Sequence, residues 1–184
     1  MKLNFFLVFS LLYVQFQSYS QENETISKLT YHSFSISPIG FYTAEETVGP
    51  SFSADVRFSY MKNIFAFGAE GGTDELIYPG SKNHNSYYEF NLYYGRELKV
   101  YKRLYIDVFA GVGYVNIRQV GDSYEPIDDV YSTIGVPVTG TVKLVLNRGF
   151  IVGVKFHANL NSERIIFSAG PHLQFTAKSR RQYE

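Results

Sequence analysis

The stretch Leu104-Tyr105-Ile106-Asp107-Val108-Phe109-Ala110-Gly111-Val112-Gly113-Tyr114 decides the fold. Leu104, Ile106, Val108, Ala110, Val112 and Tyr114 fall on one face, and the other holds Asp107, Gly111 and Gly113. Alternation with period two marks a strand with two unlike faces. The same reading extends in both directions. Upstream, Tyr88, Phe90, Leu92 and Tyr94 oppose Glu89, Asn91, Tyr93, Gly95 and Glu97, and Phe52, Ala54, Val56, Phe58 and Tyr60 oppose Ser51, Ser53, Asp55, Arg57 and Ser59. Downstream, Phe150, Val152, Val154 and Phe156 oppose Gly153, Lys155, His157 and Asn159. In the last segment Ile165, Phe167, Ala169, Leu173 and Phe175 oppose Ser168, Gly170, His172 and Gln174. Residues 29–42, 64–72 and 130–146 alternate likewise, so the chain reads as eight strands.

The links between them alternate in length. Those at 61–63, 99–102 and 147–149 are tight, the last with a glycine suited to a hairpin. Those at 43–49, 73–86 and 117–129 are longer and carry turn formers such as Pro79-Gly80 and Gly121-Asp122. In an up-and-down meander all the long links fall at one end. Short turns at one end, long loops at the other and an even strand number are the pattern of an outer-membrane barrel. The reading is therefore all-β, an eight-stranded antiparallel up-and-down transmembrane β-barrel. Pro38 and Pro171, which remove ladder hydrogen bonds, mark expected bulges.

Alternation is symmetric about inside and outside, because a soluble lipocalin-like barrel turns its apolar face inward and a membrane barrel turns it outward. The polar face is mostly Ser, Gly, Thr and Ala with scattered charges, which suits a narrow packed interior better than a face presented to water. The apolar face is continuous from strand to strand. Tyr31, Tyr42, Tyr60, Tyr88, Tyr94, Tyr114 and Tyr131 lie near strand ends, where an interfacial girdle would sit. The rival, a soluble secreted barrel binding a hydrophobic ligand, requires Phe52, Phe90, Val108 and Val154 to line a buried cavity.

Composition agrees with one barrel domain. In 184 residues only 18% are charged against 17% aromatic, too few charges and too many rings for a disordered chain. Equal numbers of basic and acidic residues argue against a general nucleic-acid binder. The absence of cysteine excludes a disulfide framework, a thiolate zinc site, an iron–sulfur cluster and a lipoprotein anchor.

At the N-terminus Lys2 precedes an apolar run over residues 5–14 broken only by Ser10, and Ser18-Tyr19-Ser20 places small residues where a signal peptidase reads them. The run covers about half the roughly 20 residues of a membrane-spanning helix. The expected organisation is a signal peptide over 1–20, a periplasmic segment over 21–28, the barrel over 29–177 and a basic tail over 178–184.

The eight-strand meander resembles the small outer-membrane β-barrel proteins of the OmpA/OmpX type. The runs Leu92-Tyr93-Tyr94-Gly95-Arg96-Glu97 and Tyr105-Ile106-Asp107-Val108-Phe109-Ala110-Gly111-Val112-Gly113-Tyr114 are similar to the porin-family outer-membrane barrels of Bacteroidota. The resemblance spans nearly the whole chain after residue 20 and implies a location, the outer membrane of a Gram-negative bacterium, without a reaction. Such barrels end at an aromatic residue that closes the last strand. Here nine residues follow Phe175, so an internal assembly signal is expected.

With the polar face inward, the enclosed groups are Asp55, Arg57, Glu70, Glu89, Asn91, Glu97, Asp107, Lys143, Lys155, His157, His172 and Gln174. Charges of both signs in so tight a space must pair, and a structural network that plugs the barrel is the expectation. The rival is a gated ion path or proton relay. His157 and His172, on neighbouring strands, are placed to face each other, but nothing in the spacing demands a metal. No cofactor is expected.

The long links carry Glu45, Glu46, Asp74, Glu75, Asp122, Glu125, Asp128 and Asp129, while Lys62, Lys99, Lys102, Arg103, Arg148 and the tail put positive charge at the other end. Asp122, Glu125, Asp128 and Asp129 are surface-loop candidates for a divalent cation bridging to lipopolysaccharide phosphates, against the alternative of a solvated loop. They lack the calcium-loop pattern.

Enzyme motifs are sparse. His84-Asn85-Ser86 has the His and Ser spacing of outer-membrane lipid A deacylases, with no orienting acid evident in the sequence, and Ser86→Ala would test that reading. His32 and Ser33 are adjacent, so on a regular strand they point to opposite faces. The expected function is non-enzymatic: structural or surface-interaction work, with outer-membrane lipid and lipopolysaccharide as surroundings and an extracellular partner reached through the long loops.

Overall fold

The computed structural model describes residues 29–44, 47–75, 77, 84–120, 128–147 and 149–176. The segment 1–20 expected to be a signal peptide, the segment 21–28 and the tail 178–184 lie outside them. The strands are β1 (Thr30–Ala44), β2 (Thr47–Tyr60), β3 (Asn63–Thr73), β4 (Ser86–Tyr101), β5 (Leu104–Val120), β6 (Asp128–Val145), β7 (Phe150–Leu160) and β8 (Ile165–Thr176). They form a closed barrel in sequence order, and antiparallel pairing of β1 with β8 completes the ring. Closure removes both sheet edges, so no strand is left with an unpaired ladder.

Alternation sorts the side chains as a membrane barrel would. Phe52, Phe90, Val108 and Val154 stand on the outer wall, Phe52 with 63% of its surface exposed. A soluble barrel with these four around a cavity is thereby excluded. The inner wall carries charged and amide side chains together with three apolar clusters. Tyr42, Ala44, Tyr87, Val115, Ile117 and Ile166 close the end nearest links 74–85 and 121–127. Tyr105, Val145 and Ile151 lie at the opposite end, and Ile64, Ala66, Tyr93 and Phe109 line the wall between.

Three sequence expectations are corrected. The link expected at 43–49 is not long, because β1 and β2 pair up to Ala44 and Thr47 and only residues 45–46 join them. The end asymmetry therefore rests on links 74–85 and 121–127. Tyr42 is no girdle residue, since it is buried inside. The cause is a β-bulge on β1 between Ser37 and Gly40, around Pro38 and Ile39, which shifts the strand by one residue and exchanges its faces, so that Phe41 turns out and Tyr42 turns in. Pro171 sits across the same seam but keeps its register with β7, opposite Val154. A second irregularity, between Tyr31 and Ser33, turns both His32 and Ser33 inward, contrary to the opposite-face expectation.

Candidate functional site

The inner wall holds two hydrogen-bonded groups. The first centres on Arg57. Asp55 and Arg57, two apart on β2, share the inward face. Arg57 Nε donates to Asp55 Oδ1 at 2.5 Å, and Nη1 donates to Asp107 Oδ2 on β5 at 2.6 Å and to Gln174 Oε1 on β8 at 3.3 Å. Its guanidinium lies 5.0 Å from the centre of the Phe109 ring, within cation–π range. Lys143 on β6 reaches two of the same acceptors and Glu97 on β4. Its Nζ is 2.5 Å from Glu97 Oε2, 2.7 Å from Asp107 Oδ2 and 3.0 Å from Gln174 Oε1. Gln174 Nε2 then donates to Ser33 Oγ at 3.0 Å, and Ser33 Oγ is 2.8 Å from His32 Nδ1. Six strands are tied together by this group, and both cations in it bridge carboxylates from different strands.

The second group centres on two glutamates. The β3–β4 register sets Glu70 directly opposite Glu89, both facing inward and both buried. Lys155 Nζ, from β7, bonds Glu70 Oε2 at 2.9 Å and Ser53 Oγ at 2.8 Å. Tyr87 Oη donates to Glu70 Oε1 at 3.2 Å, and Ser168 Oγ donates to the same oxygen. Glu89 receives Asn91 Nδ2 at 2.9 Å and, from across the lumen, Asn159 Nδ2 at 2.6 Å. His157 Nε2 stands 2.6 Å from Glu89 Oε1, while His157 Nδ1 meets Thr139 Oγ1 at 3.0 Å and Tyr93 Oη at 3.4 Å. A void of about 10 Å³ lies between the two groups, lined by Asp55, Arg57, Ala66, Tyr93, Phe109, Thr139 and Lys155. That is room for about one water molecule.

The twelve interior candidates read from the sequence divide between these groups, with one exception. His157 and His172 do not face each other: His157 pairs with Ser168 and His172 with Gly153, so they sit at different heights. His172 is buried, and neither of its ring nitrogens has a hydrogen-bond partner among the described residues. Sequence reasoning passed over His32, Ser33, Tyr87, Tyr93, Thr139 and Ser168, which complete the network. Most are in phase with the charged residues, and the phase of alternation was the available signal. His32 and Ser33 carried none, because their placement depends on a bulge.

At the loop end, Asp122 and Glu125 lie outside the described residues. The backbone of Asp128 and Asp129 pairs with Val120 and Gln119 as the start of β6. Asp74 is no solvated loop acid: it is buried and receives Asn85 N at 2.8 Å and Asn85 Nδ2 at 3.0 Å. His84 Nδ1 stands 3.8 Å from Asp74 Oδ1, which places an acid beside the His84-Asn85-Ser86 run, but no hydrogen bond joins His84 to Ser86 among the described residues.

No protein-family model matches the sequence, and neither does any curated protein. Solved structures do. The attachment invasion locus protein Ail of Yersinia pestis, in complex with the heparin analogue sucrose octasulfate, superimposes with a TM-score of 0.55 at 8% identity over 79% of this chain and 97% of Ail. Neisserial surface protein A gives 0.56 at 10% identity over 79% and 96%. The N-terminal β-barrel domain of Pseudomonas aeruginosa OprF gives 0.52 at 12% identity over 81% and 99%. Eight antiparallel strands closed in sequence order, matching nearly the full length of each of these structures, give this chain the fold of the small eight-stranded outer-membrane barrels.

Proposed function

We propose that the chain is a non-enzymatic barrel of the outer membrane of a Gram-negative bacterium, exported by residues 1–20, with both termini in the periplasm and links 45–46, 74–85, 121–127 and 161–164 outside. The observation that carries this reading is the inversion of the two faces: Phe52, Phe67, Leu92, Val112 and Phe156 stand exposed on the wall, while Arg57, Asp107, Lys143 and Glu89 are buried. In water an exposed apolar band of this extent would drive association, and in lipid it is the stable arrangement.

The paired interior charges act as a plug. Arg57 and Lys143 lock Asp107 between them, and the void beside them is too small for a hydrated ion. The barrel thus serves as a rigid mount in the membrane, and its loops make contacts at the cell surface. The structure of Ail holds a heparin analogue, a polyanion. Here the sequence from the link after β5 into the start of β6 concentrates Asp122, Glu125, Asp128 and Asp129, which would repel such a ligand and suit a cationic partner, or a divalent cation bridging to lipopolysaccharide phosphates.

Fractionation of expressing cells, followed by denaturing electrophoresis with and without boiling, tests the proposal. A band in the outer-membrane fraction whose migration shifts on heating is the expected result. A soluble protein without a heat-dependent shift would overturn it.

A further inference from the structure

We propose that Glu70, Glu89 and His157 form a binding site for one divalent transition-metal ion, zinc being the representative, inside the barrel. This goes beyond the surface role above and does not depend on what the loops contact. One ligand atom from each residue lies within 4.8 Å of the other two, and all three side chains are buried. A tetrahedral ion with bonds of about 2.0–2.2 Å holds its donors roughly 3.3–3.6 Å apart, so the His157–Glu89 contact at 2.6 Å would open by under about 1 Å as Glu70 moves in to complete the set.

Three further observations point the same way. The first is the register, which sets Glu70 and Glu89 directly opposite each other on neighbouring strands. Like charges in that position repel, and Lys155 answers only Glu70. The second is the support around the ligands. The Nδ1 of His157 is held by Thr139 and Tyr93, Glu89 by Asn91 and Asn159, and Glu70 by Tyr87 and Ser168. A histidine anchored through one ring nitrogen, with the other aimed into a carboxylate cluster, is the arrangement of metal-ligating imidazoles. His157 Nε2 is that other nitrogen: it lies 2.6 Å from Glu89 Oε1 yet makes no well-directed hydrogen bond.

The third is charge. The inner wall below the loop end carries Asp55, Glu70, Glu89, Glu97 and Asp107 against Arg57, Lys143 and Lys155, five acidic side chains to three basic ones. A divalent ion held there would add positive charge to an acid-rich wall. Mixed nitrogen and oxygen donors favour zinc, cobalt or manganese over calcium or magnesium. Lys155 gives up part of Glu70 to the ion and keeps Ser53 Oγ at 2.8 Å.

The test is to refold the full chain into detergent micelles with excess zinc, remove free metal by desalting, and measure zinc per folded barrel. About one ion per chain is expected for the wild type, with a loss of roughly tenfold or more in Glu89→Gln and in His157→Gln and no loss in His172→Gln. X-ray absorption of the zinc-loaded wild type should show an imidazole among nitrogen and oxygen ligands. A folded wild-type barrel without zinc, zinc retained in both variants, or bound zinc without imidazole would each overturn the assignment. The wild-type measurements decide the question even where a variant fails to fold.

Discussion

His32 Nδ1 and Ser33 Oγ lie 2.8 Å apart inside the barrel, although the two residues are consecutive on a strand. The bulge between Tyr31 and Ser33 turns both inward, and Ser33 then passes the contact on to Gln174, which reaches Arg57 and Lys143. Ser33→Ala removes a buried partner from both His32 and Gln174. A loss of about 1–3 kcal/mol is expected, read as a lower urea midpoint for the folded barrel in detergent.

Arg57 is buried against two carboxylates, Asp55 and Asp107. Arg57→Met leaves Asp55 without its partner and Asp107 with Lys143 alone. Destabilisation of about 3–5 kcal/mol follows from an uncompensated buried charge, and adding Asp55→Asn to Arg57→Met should recover part of it. Equilibrium unfolding of the single and double variants checks both the loss and the recovery.

Gly111 and Gly140 separate close approach from open space. A Cβ at Gly111 would lie 1.8 Å from the carbonyl oxygen of Leu92, whereas one at Gly140 would meet nothing within 4 Å. Gly111→Ala is expected to lose about 1–3 kcal/mol and refold in lower yield, and Gly140→Ala to stay within about 0.5 kcal/mol of the parent. The heat-dependent gel shift of the two variants, measured side by side, is sufficient to tell.

The β2–β3 turn holds Met61 at φ 55°, a left-handed conformation that a long side chain adopts at a cost. Met61→Asn, with a residue that tolerates this region, should raise stability by about 0.5–1 kcal/mol. Unfolding kinetics and midpoint report it without touching the interior.

Because the chain contains no cysteine, single-cysteine reporters are unambiguous. Phe52→Cys and Phe156→Cys carrying a nitroxide should be relaxed by oxygen dissolved in lipid. Ser35→Cys, on the inner face of β1, should be reached by neither oxygen nor an aqueous relaxant. Water-phase relaxation at Phe52 and Phe156 would reverse the membrane reading.

Strands, their number and their closed order were legible in the sequence because a strand's two faces are written in adjacent residues, and each strand pairs with the next one along the chain. The inward phase of Asp55, Arg57, Lys143 and Glu89 followed from that same alternation. Three things did not follow. The face of Tyr42 and the pairing of His32 with Ser33 depend on bulges in β1, where one extra residue exchanges inside for outside. The division of the polar residues into an Arg57 group and a Glu70–Glu89–His157 group depends on closure, which brings β7 across the lumen to β4. The burial of Asp74 depends on Asn85, eleven residues away across a link. Alternation is a local property that the chain carries by itself. Which side chains meet across the lumen is set by register, bulges and barrel closure, and only the tertiary structure decides those.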